Sequence, residues 1–435
     1  MRSIGHIIKQ ERLNQNMKQI SLARGICSTS YLSKIENNST FPSVDITSLL
    51  LKRLNLEIEE VSEEEESTLI ESFYNLYKDG IHNRDKTIIT KFLDEFSTSK
   101  VVFMQPKNYY NYNLYMFRLM LILDEVNESI QSYYEVIIKM HDEFDDNQRF
   151  VFNLNLGIYF LMKGDFAKSL SQLEQSLGLV HHIANEDWEH ADFYNVISMT
   201  YFKNNEFFNS INYASKSLKY YTDNLLLKRA IDNYIVMGLA YKKMKKYKEA
   251  EKHYQLASKL AGDYKLDAYK GIIFQNLGSL YSIQENHTKS IEYFNLSLKC
   301  KGGESSSEGY LLTVLSIVKE YSKQKNAGQV LNWCERGLGK INENELNSNH
   351  TIHSNYFHFC IYSAIHSFSN ELEEILKKAI KHFEIIQDNR HVQKYSILLA
   401  EHYFNENKFK TAGIYFKKAN QVLFKQNNII QWEDM

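Results

Sequence analysis

Residues 237–260, MGLAYKKMKKYKEAEKHYQLASKL, set the small residues Gly238, Ala250 and Ala257 and the aromatics Tyr241 and Tyr254 at helical spacings on either side of a polar break. The arrangement recurs along the chain. Leu156-Gly157 leads to Phe160, Ile197-Ser198 to Tyr201, Met237-Gly238 to Tyr241, Leu277-Gly278 to Tyr281, Ile317-Val318 to Tyr321 and Leu399-Ala400 to Tyr403, with weaker members centred on Phe117 and Cys360. The centres 117, 157, 198, 238, 278, 318, 360 and 400 are 40, 41, 40, 40, 40, 42 and 40 residues apart. A fixed period of this length marks a repeat array. A second set follows each centre by 12, 16 and 19 residues, most clearly Ala250, Tyr254, Ala257; Ser290, Phe294, Ser297; and Ala412, Phe416, Ala419. Small residues where two antiparallel helices approach, with an aromatic wedge between them, predict one helical hairpin per period.

Composition agrees with an all-α chain. Only Pro42 and Pro106 occur in 435 residues, where average usage of about 5% would give roughly twenty, and proline is the residue a helix interior tolerates least. Hydrophobic residues at 43% and charged residues at 24% support a packed core. No apolar run reaches the roughly 18 residues of a membrane span, and the opening MRSIGHIIKQERLNQN is interrupted by Lys9, Glu11 and Arg12, unlike a secretory signal. These features predict a cytoplasmic protein without membrane contact. Cys27, Cys300, Cys334 and Cys360 form no C-x-x-C pair and read as free thiols of a reducing compartment.

Charge is uneven. Residues 1–56 carry eight Lys/Arg against Glu11, Glu36 and Asp45, a surplus of five in a chain of net −2. A basic module on an acidic body suggests that the module meets a polyanion. Between them EIEEVSEEEE, residues 57–66, holds seven glutamates and reads as a solvated linker or helix start.

The basic module predicts short helices. Ile4, Ile8 and Leu13 suit a first, and Ile20, Leu22, Ala23 and Ile26 a second. Ser28 is placed to cap a third over 29–36, and Ser43, after the helix-stopping Phe41-Pro42, to cap a fourth carrying Ile46, Leu49, Leu50 and Leu54. The string QISLARGICSTSYLSKIENNSTFPS, residues 19–43, resembles the helix-turn-helix of the lambda-repressor-like family at Gln19, Leu22-Ala23, Ser28, Tyr31-Leu32-Ser33, Lys34, Ile35-Glu36-Asn37 and Pro42-Ser43. Asn38 replaces the usual glycine and tolerates the same left-handed turn. Docking of such a motif puts the N-terminal residues of its second helix in the major groove of double-stranded DNA. Thr29, Ser30 and Lys34, with Ser28 at the cap, are the expected base-reading or groove residues, and Lys18 and Gln19 the phosphate contacts. The resemblance implies that Arg12 and Glu36 form an internal ion pair.

The array resembles tetratricopeptide repeats over roughly residues 105–425, each longer by about six residues than the ordinary unit of about 34. Tyr77, Ile89, Leu93 and Phe96 suggest a further hairpin ahead of the eight. The expected fold is a helix-turn-helix domain over 1–60, an acidic linker and first hairpin over 61–104, and an α-solenoid of eight or nine extended hairpins over 105–435, each touching only its neighbours. A helix-turn-helix followed by this array resembles the RRNPP family of peptide-pheromone receptors, with a PlcR-like helix-turn-helix string and a length closer to NprR. That resemblance implies a cytoplasmic, quorum-sensing transcription regulator that binds a short linear signalling peptide in the concave groove and works as a homo-oligomer, dimer or tetramer. It is not expected to be an enzyme. The alternatives are phosphatase action on a response regulator, as in the related Rap proteins, and a non-enzymatic adaptor.

With the central glycine as position 8, positions 2, 5, 6, 9 and 12 of each first helix face the groove. Arg118, Asn155, Asn195, Asp232, Lys242, Gln275 and Asn276 are the expected peptide contacts, with Asp192, Ser279, Ser316 and Lys319 on the same surface. Amide side chains pair with a peptide backbone whatever its sequence, and Arg118 suits a ligand carboxylate. Arg118 and Asn195 are expected to be solvated. No cofactor or metal is expected: His181, His182 and His190, like His350 and His353, lack further ligands at useful spacing. No phosphate-loop or nucleophile-elbow motif is present, and KGGESSSEG at 301–309 reads as an inter-repeat loop.

Overall fold

The computed structural model describes residues 4–56, 63–83, 85–97, 103, 105–123, 128–183, 186–302, 308–341 and 349–426. Residues 57–62 of the acidic linker and 303–307 of the KGGESSSEG loop lie outside the described residues. Every regular element among the described residues is a helix. Four short ones come first: α1 Ile4–Asn14, α2 Gln19–Ala23, α3 Thr29–Glu36 and α4 Val44–Arg53. Ser28 Oγ accepts the Tyr31 N–H at 3.1 Å and Ser43 Oγ that of Ile46 at 3.4 Å, so both serines cap as read. Asn38 takes the left-handed turn, φ 55°. Ile4, Ile8, Leu22, Leu32, Ile35, Leu50 and Leu54 form the core of this module. Leu13, Ile20 and Leu49, expected on the apolar faces, are exposed instead, because so small a module encloses only part of its apolar surface.

Nine helix pairs follow in chain order: α5 Glu63–Asn83 and α6 Lys86–Ser97, α7 Pro106–Leu123 and α8 Glu128–Met140, α9 Asp146–Met162 and α10 Phe166–Leu179, α11 Asp187–Lys203 and α12 Phe207–Asp223, α13 Leu227–Lys243 and α14 Tyr247–Asp263. Then come α15 Asp267–Ile283 and α16 His287–Lys301, α17 Glu308–Lys323 and α18 Ala327–Leu338, α19 His350–His366 and α20 Leu372–Ile385, α21 Asn389–Asn405 and α22 Phe409–Gln426. From α11 to α15 each helix has 17 residues and each connection three, so the period is twice a twenty-residue step. The surplus over an ordinary repeat lies in helix length. Each step ends on a left-handed residue: Asn205 (φ 65°), Leu225 (φ 56°), Lys245 (φ 59°), Lys265 (φ 54°) and Glu285 (φ 58°). The next N–H turns back on the helix, Glu206 to the Tyr201 carbonyl and Leu226 to that of Tyr221, both at 2.8 Å. This C-terminal motif usually holds glycine.

Glycine is kept for contact between helices. A Cβ on Gly157 would meet Leu173 at 2.5 Å, and one on Gly278 would meet Phe294 at 2.5 Å, each partner lying sixteen residues past its centre. Twelve residues past the same centres, Ser169 and Ser290 donate to the carbonyls of Gly157 and Gly278 at 2.7 and 2.9 Å. Ala250, Tyr254 and Ala257 are fully buried, as the pattern requires. Phe416 is 37% exposed, since α22 has no described helix after it to cover the wedge.

The chain divides into two compact units, residues 1–245 and 246–435. In the first, neighbour-only packing fails. Helix α5 lies against α11, with Tyr77 and Tyr74 at 5.2 and 5.6 Å from the Trp188 ring and Lys78 2.9 Å from Glu186. Lys228 of α13 donates to the Asn83 carbonyl at 3.3 Å. The aromatic face of α5 is too large for α7 alone to bury. The four-helix module also packs on α7, through Phe41 against Tyr109 and Tyr110. In the second unit the core runs through Phe294, Tyr310, Val314 and Phe359, and through Leu376, Phe383, Tyr395 and Leu399.

Candidate functional site

In the N-terminal module α3 is fixed from beneath. Arg12 Nε and Nη2 donate to the two oxygens of Glu36 at 2.6 and 2.8 Å, a two-pronged buried pair that ties α1 to α3, and Arg12 Nη1 donates to the Met17 carbonyl at 2.8 Å. The hydrogen bond to Glu36 raises the Arg12 pKa against the opposing effect of burial. Above this pair Lys18, Ser28, Thr29, Ser30 and Lys34 are exposed. Gln19 differs from the expectation, because its amide nitrogen donates to Glu36 at 2.8 Å, leaving its second N–H and its oxygen for a further partner. It acts first as a brace for α3.

In the first unit α5, α6, α7, α9, α11 and α13 line a half-open cavity of about 420 Å³. Apolar side chains line most of it, among them Ile81, Leu121, Ile122, Ile158, Leu161 and Met199, and so does Gly80, where a Cβ would come 3.0 Å from Ile89. Arg118, Asp192, Asn195 and Arg229 form its polar wall. Arg118 Nη2 donates to Asp192 Oδ2 at 2.5 Å, and Arg229 Nη2 to Asp192 Oδ1 at 2.9 Å, to Asn195 Oδ1 at 3.1 Å and to Tyr221 Oη at 3.1 Å. Burial opposes the charge of Arg229, but Tyr221, Asp192 and Asp232 hold it above its usual pKa. Arg118 Nε and Nη1, Arg229 Nε and Asn195 Nδ2 are buried without an acceptor among the described residues. Two guanidiniums share the Asp192 carboxylate, with Asp232 acting on Arg229 as well, and buried N–H groups remain without an acceptor. Such a wall is suited to an incoming carboxylate.

Of the residues singled out from the sequence, Arg118 and Asn195 meet in this cavity. Both are buried rather than solvated, at 5% and 1% exposure, because α5 covers the inner face there. Asn155 is fully buried and donates to the Leu114 carbonyl at 2.9 Å, which makes it a strut between α7 and α9, out of reach of a ligand. Asp232 and Lys242 are half-buried in the first unit and do not line the cavity; burial, with Lys243 nearby, lowers the Lys242 pKa to about 8. Gln275 and Asn276 belong to the second unit, where Gln275 donates to Ser316 at 2.9 Å and Asn276 to the Ile272 carbonyl at 3.1 Å. Sequence reading missed Arg229, which lies outside the positional frame used for the groove; the signal available was a second countercharge for Asp192. Among the described residues Glu373, His402 and Glu406 bring metal-ligand atoms within 4.8 Å of one another, but Lys377, Tyr403 and Lys408 already take the carboxylates, at 2.6, 2.7 and 2.9 Å.

Two family patterns match the chain in tandem, helix-turn-helix over residues 8–61 and tetratricopeptide repeat over residues 229–301. The transcriptional activator NprA of Geobacillus stearothermophilus is 27% identical over 412 residues, 94% of this chain and the whole of that protein. In this tandem order the chain resembles the RRNPP regulators. Its fold is that of NprR: the apo quorum sensor NprR from B. thuringiensis superimposes with a TM-score of 0.65 at 15% identity, covering 83% of this chain and 99% of that one. NprR in complex with its cognate peptide NprX gives 0.56 at 14% identity, covering 84% and 99%. The chain thus carries a helix-turn-helix module followed by a tetratricopeptide-like array. None of its described helices is long and apolar enough to cross a membrane.

Proposed function

We propose that the chain is a cytoplasmic transcription regulator switched by a short linear peptide. Residues 1–60 bind double-stranded DNA through α3, with Thr29, Ser30 and Lys34 toward the bases and Lys18 toward the backbone. Residues 61–104 connect that module to a peptide-binding and oligomerising array over 105–435. The regulator acts as a homodimer, because one small module makes too few contacts for tight specific binding and paired half-sites lie about 34 Å apart.

The observation that carries the reading is the polar wall of the cavity. Arg118 and Arg229 converge on Asp192 with buried N–H groups to spare, and a peptide C-terminus or an acidic side chain supplies the missing acceptor. The shared fold with NprR, solved with a cognate peptide, supports a peptide as the carrier of that carboxylate. Calorimetry with linear peptides of about five to ten residues, a length set by roughly 3.3 Å per extended residue against roughly 10 Å per hairpin, tests the proposal. Binding should need the free carboxylate and fall on Arg118→Gln in a protein that still melts cooperatively. Undiminished affinity in that variant retires the cavity as the peptide site.

A further inference from the structure

A second cavity of the first unit lies on the other side of α9. That helix contributes Arg149, Phe152, Asn153 and Leu156 to it, which at 3.6 residues per turn point away from Ile158, Leu161 and Met162, the α9 side chains of the cavity described above. Gln172 and Gln175 of α10 line one side, and Ile138 of α8 with His141 just beyond that helix line the other. The space is about 320 Å³, at the small end of the roughly 300–1,000 Å³ of small-molecule sites. It sits between two second helices, away from the face that first helices offer to a peptide.

The lining sets amides beside apolar side chains. Asn153 is only 7% exposed, yet its side-chain amide has no hydrogen-bond partner among the described residues. A buried amide left unpaired is costly, and this one lines the cavity. Gln172, half-buried, and Gln175 also have their amides uncommitted there. Phe152 and Leu156 are buried next to them. The His141 ring stacks on Phe152 at 5.9 Å and is fixed by the hydrogen bond of its Nδ1 with the Ile138 carbonyl at 2.8 Å. No carboxylate side chain is among the described lining residues, so a cation finds no countercharge. Arg149 and His141 each have an acid within reach, Asp146 at 3.6 Å and Asp142 at 3.0 Å, so neither is a free charge for an anion.

We propose that this cavity binds an uncharged purine nucleoside by its base, with the adenine edge read by Asn153 and Gln172. An amide offers a donor beside an acceptor, the pattern that pairs in two-pronged fashion with the N6 amino group and N7 of adenine. Ile138, Phe152 and Leu156 supply apolar surface for the faces of the base. A sugar alone would leave that surface unused, and a nucleotide would bring a phosphate without an unpaired cation to meet it. The site does not depend on the carboxylate reading of the first cavity.

The test is calorimetry of the full chain with adenosine, with ribose, adenosine monophosphate and N-acetylglutamine amide as comparisons. Adenosine should bind and ribose should not. Asn153→Leu, which keeps the size and removes both donor and acceptor, should weaken adenosine binding by about tenfold or more. Gln172→Leu, at a half-buried position, should weaken it in the same direction, and both proteins should melt as cooperatively as the wild type because neither amide ties down another part of the fold. Arg118→Gln should leave adenosine binding unchanged. Wild-type affinity in both leucine variants, equal binding of ribose, or stronger binding of the monophosphate than of adenosine overturns the assignment, and a preference for N-acetylglutamine amide overturns it in favour of a protein side chain.

Discussion

The ring of Phe41, in the loop between α3 and α4, lies 4.7 Å from that of Tyr109 at the start of α7. Tyr110 meets Phe41 edge-on at 6.3 Å and continues to Phe144 at 5.4 Å. Eight residues beyond Tyr110 the same helix carries Arg118, about 12 Å along its axis. One helix therefore bears the helix-turn-helix module at one end and the cavity at the other.

Phe41→Ala should cost about 3 kcal/mol, the usual loss for a buried phenyl ring, whereas Leu49→Ala, at 49% exposure, should stay within about 0.5 kcal/mol. Equilibrium urea denaturation separates the two. Matching midpoints would show that Phe41 is not the anchor.

The proposed DNA contacts divide the residues of α3 into readers and supports. Thr29→Ala and Lys34→Ala should each weaken operator binding by about 1–3 kcal/mol while leaving the melting temperature unchanged, since both are exposed. Glu36→Ala should instead lower stability by about 3 kcal/mol, because it strands the buried Arg12 guanidinium. Footprinting and thermal melts on the same three proteins distinguish these outcomes, and an unchanged footprint for the Thr29/Lys34 double variant would remove α3 from the DNA interface.

Two glycines give opposite expectations for one substitution. Gly278→Ala drives a methyl group to 2.5 Å from Phe294 and should destabilise by about 1–3 kcal/mol. Gly413 is helical with open space around it, so Gly413→Ala should stabilise by up to about 1 kcal/mol. Calorimetric scans would show Tm shifts of opposite sign.

Acid should weaken the second unit early. Burial, with His353 and His350 close by, lowers the His382 pKa to about 4; Asp388 acts in the opposite sense, and Ser354, Phe357 and Phe383 pack around the ring. Burial, with His391, Lys319, Lys394 and His382, lowers that of His358 to about 2. Both rings stay neutral in the folded state, so stability is complete above the ordinary histidine value of about 6.5. It declines below that value as the unfolded chain takes up the protons, down to about 4 for His382 and about 2 for His358. His358 alone should contribute a slope of about 1.4 kcal/mol per pH unit in that window, and His358→Phe should remove one proton from the slope measured by urea titrations between neutral pH and pH 5.

What the sequence made legible was local or periodic. Ser28 and Ser43 announce helix starts because capping depends on residues three apart, and Gly157 with Leu173 or Gly278 with Phe294 follow from contacts inside one hairpin. The twenty-residue half-period was hidden, because its left-handed turn positions hold Asn, Leu, Lys and Glu instead of glycine. Burial of Arg118 and Asn195 was out of reach for a different reason. It depends on α5 crossing to α11 through Tyr77 and Trp188, more than a hundred residues apart, and packing by nearest neighbours contains no such step. Arg229 became visible once Asp192 was seen holding two cations.

The even step from α11 to α15 has a genetic reading. Where every helix has one length and every connection another, an unequal exchange between neighbouring hairpins inserts or removes a complete unit and leaves each remaining helix, turn and small-residue contact as it was. The array can change length without redesign. The stretch from α5 to α13 has no such freedom: Lys78 must still find Glu186 and Lys228 the carbonyl of Asn83. Gains and losses of hairpins therefore belong after α13, and the count of units ahead of Arg229 is held fixed.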